Sequence, residues 1–194
     1  MERKRTDRTF RSLAPSPPDG DFPVNAFWSH RSSPRARPLP SASGRAGAAA
    51  PVAGVVYFAY GSNMSVQGMA LRCPGARVLG PATLVGHAFL INANHYATIV
   101  PAAGKVVHGV LWMLTADHRR ALDEYEGVPF GMYRRHTIRV TTARGEQQLA
   151  LTYVARDATP TRTRSEYLEV ILSAARAHGL PPEYVDEIAD WQAP

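Results

Sequence analysis

The chain is poor in cysteine, in lysine and in long apolar runs. Cys73 is the single cysteine among 194 residues, which excludes an intrachain disulfide framework and fits a reducing compartment. The longest apolar candidate, residues 48–58, is interrupted by Pro51 and Gly54 and falls short of the ~18–20 residues that a membrane span needs. The first residues also lack the uninterrupted apolar stretch of a secretory signal. These absences predict a cytoplasmic protein with no membrane partner.

The net positive charge is small outside the first fifty residues. The formal net charge is +6, but residues 1–50 hold nine basic and four acidic groups and so account for +5 of it. Residues 51–194 hold 13 basic and 12 acidic groups, a net of +1. The alkaline pI therefore does not indicate a basic face on a folded domain, and we expect no nucleic-acid partner.

Proline, serine and arginine dominate the start of the chain. Apolar residues are sparse there and show no period, so ordering this segment would bury little surface against its entropy. The remaining residues are enough for one hydrophobic core. The sequence therefore predicts two parts, a disordered tail at 1–52 and a single domain at 53–194.

Within the domain, apolar periodicity and turn residues predict more strands than helices. The predicted strands are 55–59, 76–85, 88–91, 97–100, 106–114, 132–142 and 147–155, and the predicted helices are 65–71, 115–125 and 165–177. Thr115 is a suitable N-cap, Gly127 a suitable helix end, and Thr163 with Glu166 has the spacing of a capping box. Strands with interspersed helices indicate an α+β fold with a small, curved or closed sheet.

A first candidate site follows the first strand. Gly61 allows a sharp turn and the close approach of a ligand, because it has no Cβ. Ser62 and Asn63 are residues typical of helix N-caps, and the free N–H groups at a helix start favour a carboxylate or an oxyanion. An ordinary structural cap is the alternative interpretation of the same three residues.

A second candidate is Glu126. It lies four residues after the apolar Leu122, so both side chains share one face of the predicted helix, and Glu126 is directed inward. Asp123 and Glu124 are then expected to point to solvent. A carboxylate at the unfavourable end of the helix dipole, and directed inward, is a candidate for a raised pKa. A solvated glutamate at a frayed helix end is the alternative.

The other side chains with chemical potential show no productive spacing. The seven histidines form no His-Glu-x-x-His pattern, and a single cysteine cannot form Cys-x-x-Cys, so we expect no metal site. Cys73 is best interpreted as a small buried hydrophobic residue before a proline.

Several ordered segments, taken together, resemble the gamma-glutamylcyclotransferase family. They run from about Val55 to Ile188 in the family's order and comprise 57–64 (YFAYGSNM), 107–112 (VHGVLW), 122–128 (LDEYEGV), 131–133 (GMY) and 178–184 (HGLPPEY). The resemblance does not extend to the first fifty residues.

The resemblance implies a small, mixed, barrel-like sheet flanked by helices, with no metal or cofactor. It also implies a reaction, in which the α-amine of a γ-glutamyl compound attacks its own side-chain amide, forms 5-oxoproline and releases an amine. By this match Glu126 is the catalytic general acid and base. The substrate-binding residues implied by the match are Tyr57, Phe58, Ala59, Tyr60, Gly61, Ser62, Asn63 and Tyr167.

Three other functions remain open from the sequence. One is a non-catalytic protein that binds a small ligand on the same fold. Another is a cyclotransferase for a specialised γ-glutamylated metabolite rather than for the peptides of glutathione metabolism. The third is a protein tethered to an anion or a nucleic acid through its Arg-rich tail. A buried glutamate at position 126 favours an enzyme, since a pure binding protein has no use for a buried base. Either a monomer or a homodimer is compatible with the sequence.

Overall fold

A computed structural model describes residues 54–193. The predicted disordered tail at 1–52 lies outside the described residues. The described chain forms β1 (Val55–Ala59), a 3-10 helix (Ser62–Met64), α1 (Val66–Arg72), β2 (Arg77–Ile91), β3 (Ala97–Leu114), α2 (Ala116–Tyr125), a second 3-10 helix (Val128–Phe130), β4 (Tyr133–Thr142), β5 (Gln147–Ala155), α3 (Ser165–Ala177) and α4 (Pro182–Ala189).

The five strands close into a barrel in the order β1-β3-β2-β4-β5. Neighbouring strands are antiparallel, except that β1 and β5 run parallel where Tyr57 pairs with Leu151 and the barrel closes. The sheet is therefore mixed. This arrangement confirms the α+β fold class and the barrel-like sheet expected from the sequence.

The strands between residues 76 and 114 differ from the prediction. Four short strands were expected, but the structure has two long ones, β2 and β3, that pair along most of their length. Their register shifts between Val78 and Gly80 and again between Val85 and His87. Gly80 has a φ of 123° and Gly86 a φ of 76°, which glycine adopts without strain. The predicted gap between residues 85 and 88 is thus a bulge within one strand, and bulges bend a strand and help a sheet to close.

The three predicted helices lie within one residue of their predicted bounds, but α4 was not predicted and two of the expected caps are not formed. Thr115 caps α2 in a capping box with His118, and α3 has the expected bounds. No side-chain cap hydrogen bond is present at the start of α3, because the Thr163 hydroxyl donates to the carbonyl of His95 at 2.9 Å instead. The predicted Thr163 capping box is therefore wrong. The second difference is at α1, which is capped by Ser65 and not by Ser62 or Asn63.

The core fills the barrel and the space under its helices. Phe58 of β1, Leu122 of α2 and Ile171 of α3 are fully inaccessible to solvent. Cys73 is also buried, as expected. Within residues 54–193, no helix has the length and apolar character required to span a membrane.

Candidate active site

A cavity opens where β1 ends and the chain turns into the first 3-10 helix. It encloses about 300 Å³ including its mouth. Its walls come from β1, the following loop, β3, the end of α2, β4, β5 and α3, and the residues that line it are Tyr57, Tyr60, Gly61, Ser62, Asn63, Ala97, Glu126, Tyr133, Tyr153 and Tyr167. Barrel closure thus brings residues from almost the whole described domain to one point.

Glu126 lies at this point because of how α2 ends. Leu122 is fully buried and anchors the helix, and the Glu126 N–H donates to the Leu122 carbonyl at 2.8 Å. Gly127 then takes the left-handed conformation, with a φ of 63°, and the helix stops. The Glu126 side chain faces the cavity, as the spacing from Leu122 predicts.

The expectation that Asp123 points to solvent is wrong. Its side chain is only 19% exposed, because it accepts a hydrogen bond from the Tyr153 hydroxyl at 2.9 Å and lies 3.6 Å from Arg135. Glu124 is exposed, as expected. The end of α2 therefore carries two carboxylates directed toward the barrel, Asp123 and Glu126.

An amide holds the Glu126 carboxylate. Asn63 donates from Nδ2 to Oε1 of Glu126 at 2.7 Å and to the Tyr57 hydroxyl at 2.9 Å. Its carbonyl oxygen accepts from Nη1 of Arg72 at 3.0 Å. Asn63 therefore acts through its side chain, and the interpretation of Ser62 and Asn63 as ordinary N-caps is wrong.

Burial raises the pKa of Glu126 from its ordinary 4.5 to about 7. The hydrogen bond from Asn63 and the positive charge of Arg72 act in the opposite direction, since both favour the ionised form, but they are the smaller effects. A carboxyl group with this pKa exchanges protons readily near neutral pH, which is the property that a general acid and base requires.

The other polar groups in the cavity are mainly tyrosine hydroxyls. Burial is the largest cause that raises the pKa values of five cavity tyrosines, and the negative charge of Glu126 raises them further. These are Tyr57, Tyr60, Tyr133, Tyr153 and Tyr167. The hydroxyls are consequently neutral over the physiological range. They add no charge beside the carboxylate, and those of Tyr60, Tyr133 and Tyr153 already donate their hydrogens to other groups of the protein.

Two of these hydroxyls are fixed by the backbone of β3. Tyr133 donates to the carbonyl of Ala97 at 2.7 Å, and the Tyr167 hydroxyl accepts the N–H of Ala97 at 3.1 Å. Tyr167 also packs edge-on against Tyr96, with ring centroids 5.4 Å apart. The Ala97 backbone therefore sets the positions of two tyrosines that no local sequence pattern connects.

Gly61 is needed for space. Its φ is −115°, outside the left-handed region, so a special backbone conformation is not the reason for glycine. A Cβ at this position would lie 3.1 Å from the Cβ of Ala97 and 3.8 Å from the Tyr167 hydroxyl. Glycine thus allows the loop to lie close to Ala97 and Tyr167 in the cavity wall.

Seven of the nine residues predicted for the site line the cavity, namely Tyr57, Tyr60, Gly61, Ser62, Asn63, Glu126 and Tyr167. Phe58 and Ala59 do not, because both are fully buried in the core. β1 alternates its side chains between two faces, and Phe58 lies on the face away from Tyr57.

Sequence reasoning missed Tyr133, Tyr153, Ala97 and Arg72. Tyr133 was part of a recognised motif, but its hydroxyl was not assigned a place in the site. Tyr153 occurs in a strand whose side chains alternate, so its position inside the barrel follows from the register of β5 once the sheet is known to close. No local sequence pattern pointed to Arg72, because its contact with Asn63 depends on where the end of α1 lies relative to the first 3-10 helix.

Among residues 54–193, no group of three or more His, Cys, Asp or Glu side chains is arranged to hold a metal ion. The donors at the cavity are hydroxyls, an amide and one carboxylate. A cavity in a closed barrel, lined by one carboxylate with a pKa of about 7 among neutral hydroxyls, has groups suited to acid and base chemistry.

Comparisons with known proteins agree with this class. The AIG2-like family profile matches residues 106–188. Human gamma-glutamylcyclotransferase is 29% identical over 143 residues, and the mouse protein of the same name is 30% identical over 145 residues. Each alignment covers 69% of this chain and 76% of the relative. The chain belongs to the gamma-glutamylcyclotransferase family.

Solved structures resemble the described fold. A structure named gamma-glutamyl cyclotransferase has a TM-score of 0.66 and 28% identity, over 73% of this chain and 89% of the other. YkqA from Bacillus subtilis has a TM-score of 0.63 and 22% identity, over 71% of this chain and 54% of the other, which shows the shared fold alone. The predicted family and fold are thus both confirmed.

Proposed function

We propose that this protein is a γ-glutamyl cyclotransferase in which Glu126 is the general acid and base. The observation that carries the proposal is the position of Glu126, which is held by Asn63 in a cavity of neutral hydroxyls with a pKa of about 7. The names of the relatives in the family support the same reaction.

The reaction needs no nucleophile from the protein. The α-amine of the γ-glutamyl group attacks its own side-chain carbonyl carbon, and a C–N bond forms to close a five-membered ring. The substrate ammonium loses two protons in all. Glu126 takes the first and donates it to the departing nitrogen, and the second leaves the ring nitrogen as the intermediate collapses and ends on the released amine. The original amide C–N bond breaks, which leaves 5-oxoproline and a free amine. No water is consumed, and the protein ends in its starting protonation state.

The raised pKa of Glu126 reduces the cost of the proton transfer. An α-amine ionises near ~8 and an ordinary glutamate near ~4.3, a mismatch that corresponds to roughly 5 kcal/mol. With Glu126 at about 7, the mismatch falls to about one pKa unit, or roughly 1.4 kcal/mol. The same group, once protonated, is acidic enough to donate to the leaving nitrogen.

The cavity is suited to fold the substrate into its reactive shape. Holding the amine against the carbonyl carbon supplies the proximity effect that makes ring closure fast. The backbone N–H groups of Gly61 and Ser62, beside the cavity, are candidates to bind the developing oxyanion or the substrate carboxylate. The Tyr167 hydroxyl lies on the wall near Gly61 and is the proposed side-chain contact to substrate.

The test is a direct product assay. The purified protein is incubated with a panel of γ-glutamyl dipeptides and γ-glutamyl amines, and 5-oxoproline is measured. Glu126→Gln is the inactive variant, and Glu124→Gln is the matched control, because Glu124 is an exposed glutamate on the same helix. We expect release of 5-oxoproline from at least one member by the wild type and by Glu124→Gln.

Release that depends on Glu126 supports the proposal, and the preferred panel member identifies the class of leaving amine. Equal release by Glu126→Gln contradicts the role of Glu126. No release from any member, together with substrate binding by calorimetry, would favour a ligand-binding protein on the same fold.

A further inference from the structure

Asn63 lies between a group that can only donate hydrogen bonds and a group that accepts them. Its Oδ1 accepts from Arg72 at 3.0 Å, and its Nδ2 donates to Glu126 at 2.7 Å. A guanidinium has no acceptor and an ionised carboxylate has no donor. Only one of the two possible orientations of the amide satisfies both neighbours, and Arg72 is the partner that selects it.

Arg72 is itself held in place by the end of α2. Its guanidinium carbon lies 4.1 Å from the centroid of the Tyr125 ring, and Nη2 donates to the Tyr125 hydroxyl at 2.9 Å. Tyr125 directly precedes Glu126 in the chain. The contacts therefore form a closed path from α1 through Asn63 to Glu126 and back through Tyr125.

Gly68 provides the space that this arrangement requires. It lies one turn before Arg72 on α1, and a Cβ there would come within 2.7 Å of Nη1 of Arg72. Gly68 has no positive φ, so glycine is not needed there for the backbone. Glycine in a helix interior is otherwise unfavourable compared with alanine. Its presence is explained by the position of the guanidinium above it.

We propose that Arg72 is a positioning residue for Glu126, which orients the Asn63 amide so that its NH₂ group holds Oε1 and leaves Oε2 to exchange the proton. A carboxyl held in this way presents one defined oxygen to the reacting nitrogen atoms. This inference rests on the proposed function for its catalytic meaning, but its structural content can be measured without any substrate.

Apart from Arg72, the groups that face Glu126 are neutral near pH 7, so a change in the pKa of Glu126 has few other causes. The facing groups are Arg72 from α1 and the tyrosines of the surrounding elements, namely Tyr57, Tyr60, Tyr133, Tyr153 and Tyr167. The raised pKa values of these tyrosines keep them neutral near pH 7. On α2 itself, Asp123 is engaged by Arg135 and Tyr153. The positive charge of Arg72 lowers the pKa of Glu126, so displacing it must move the pKa upward.

The experiment is a pH titration of Glu126 by carbon NMR on full-length protein labelled at the glutamate carboxyl, with the signal assigned by its loss in Glu126→Gln. Arg72→Met removes the guanidinium. Gly68→Ala keeps it but displaces it from Asn63, and alanine favours the helix, so this variant is expected to fold. Arg120→Met is the control, because Arg120 is exposed on α2 and pairs with Asp117.

We expect the Glu126 midpoint to move to higher pH by ~0.5–1 in Arg72→Met, and by less in Gly68→Ala, as the favourable charge is removed or shifted. Arg120→Met should titrate like the wild type. The acid limb of the kcat/KM profile should move with the NMR midpoint. A wild-type midpoint in both Arg72→Met and Gly68→Ala would overturn the inference.

The two proposals fail in different ways. If the NMR midpoints move as expected but the wild type releases no 5-oxoproline, the positioning role stands and the proposed reaction is wrong. If the wild type is active and both variants keep their midpoint and their pH profile, the reaction stands and Arg72 is only a structural residue of α1.

Discussion

Two carboxylates near the end of α2 lie in contrasting surroundings. Asp123 has the Arg135 guanidinium 3.6 Å away and a hydrogen bond from Tyr153. Glu126 has an amide donor in direct contact, and the nearest arginine reaches it only through Asn63. Tyr153 lies between the two regions, since its ring lines the cavity while its hydroxyl binds Asp123.

The contrast lies in what each carboxylate contacts. Asp123 faces the Arg135 guanidinium and accepts from the Tyr153 hydroxyl, which fixes its side chain. An uncharged amide orients Glu126 but leaves burial as the dominant effect, so its pKa is raised to about 7. The same chemical group therefore lies in two different surroundings, and burial is what raises the pKa of Glu126.

The largest effect that tests this comparison is on turnover. Glu126→Gln keeps the shape of the side chain and its bond from Asn63 but removes the proton exchange, so kcat should fall by ~10²–10⁴-fold. Asp123→Asn should retain most of its turnover, because Asp123 lies outside the residues that line the cavity. Steady-state assays of both variants check this, and comparable losses in kcat would remove the distinction between the two carboxylates.

The second effect is on the pH dependence of stability. The pKa of Glu126 is raised on folding, so the folded state loses stability as pH rises from about 4.5 to about 7, and the full penalty remains above that range. Glu126→Gln removes the penalty. We expect it to be more stable than the wild type by ~1–3 kcal/mol at pH 8, with the difference shrinking toward pH 5.

Urea unfolding at both pH values measures this difference. Asp123→Asn is the control, because it keeps an oxygen that can accept from Tyr153 but loses the negative charge that faces Arg135, so it should be no more stable than the wild type at pH 8. A Glu126→Gln protein with no gain in stability at pH 8 would contradict the raised pKa.

A smaller effect is expected at the residue between the two regions. Tyr153→Phe keeps the ring that packs edge-on against Tyr57 at 5.7 Å but removes the hydroxyl that binds Asp123. The free energy of unfolding should fall by ~1–2 kcal/mol, since a hydrogen bond to a charged group is lost. The value of kcat should stay near that of the wild type. A large loss of kcat with unchanged stability would place the Tyr153 hydroxyl in the reaction rather than in the structure.

The smallest expected effect is at Tyr167. Its hydroxyl accepts the N–H of Ala97 and is the proposed contact to substrate. Tyr167→Phe should raise KM by ~3–10-fold and leave kcat largely unchanged, as expected for the loss of one neutral hydrogen bond. Kinetics on the preferred panel substrate measure both constants, and an unchanged KM would remove Tyr167 from the substrate site.

The sequence predicted most of the fold from local signals. Apolar periodicity located β5 and α3 at their observed bounds, and Thr115 with Gly127 marked the ends of α2. The prediction was wrong where a local signal had two possible meanings. Gly86 lies in a predicted gap between two strands, but the pairing of β2 with β3 makes it a bulge within one long strand.

The candidate site was predictable only in part, for a related reason. Residues on one segment, such as Gly61 and Asn63, could be recognised together because they are adjacent in the chain. Asp123 was expected to face solvent, since nothing in α2 itself indicates that Tyr153 and Arg135 lie beside it. Partners that come from other elements leave no trace in a local pattern.

The sequence by itself determined that Glu126 faces inward, because the four-residue spacing from Leu122 is a property of any helix. Only the tertiary structure decided what Glu126 meets there. Asn63 is 63 residues away in the chain, and Arg72 reaches Asn63 from the end of a different helix. Closure of the barrel and the packing of α1 against α2 create these contacts, and the resulting burial raises the pKa of one carboxyl group into the range where it can carry a proton both ways.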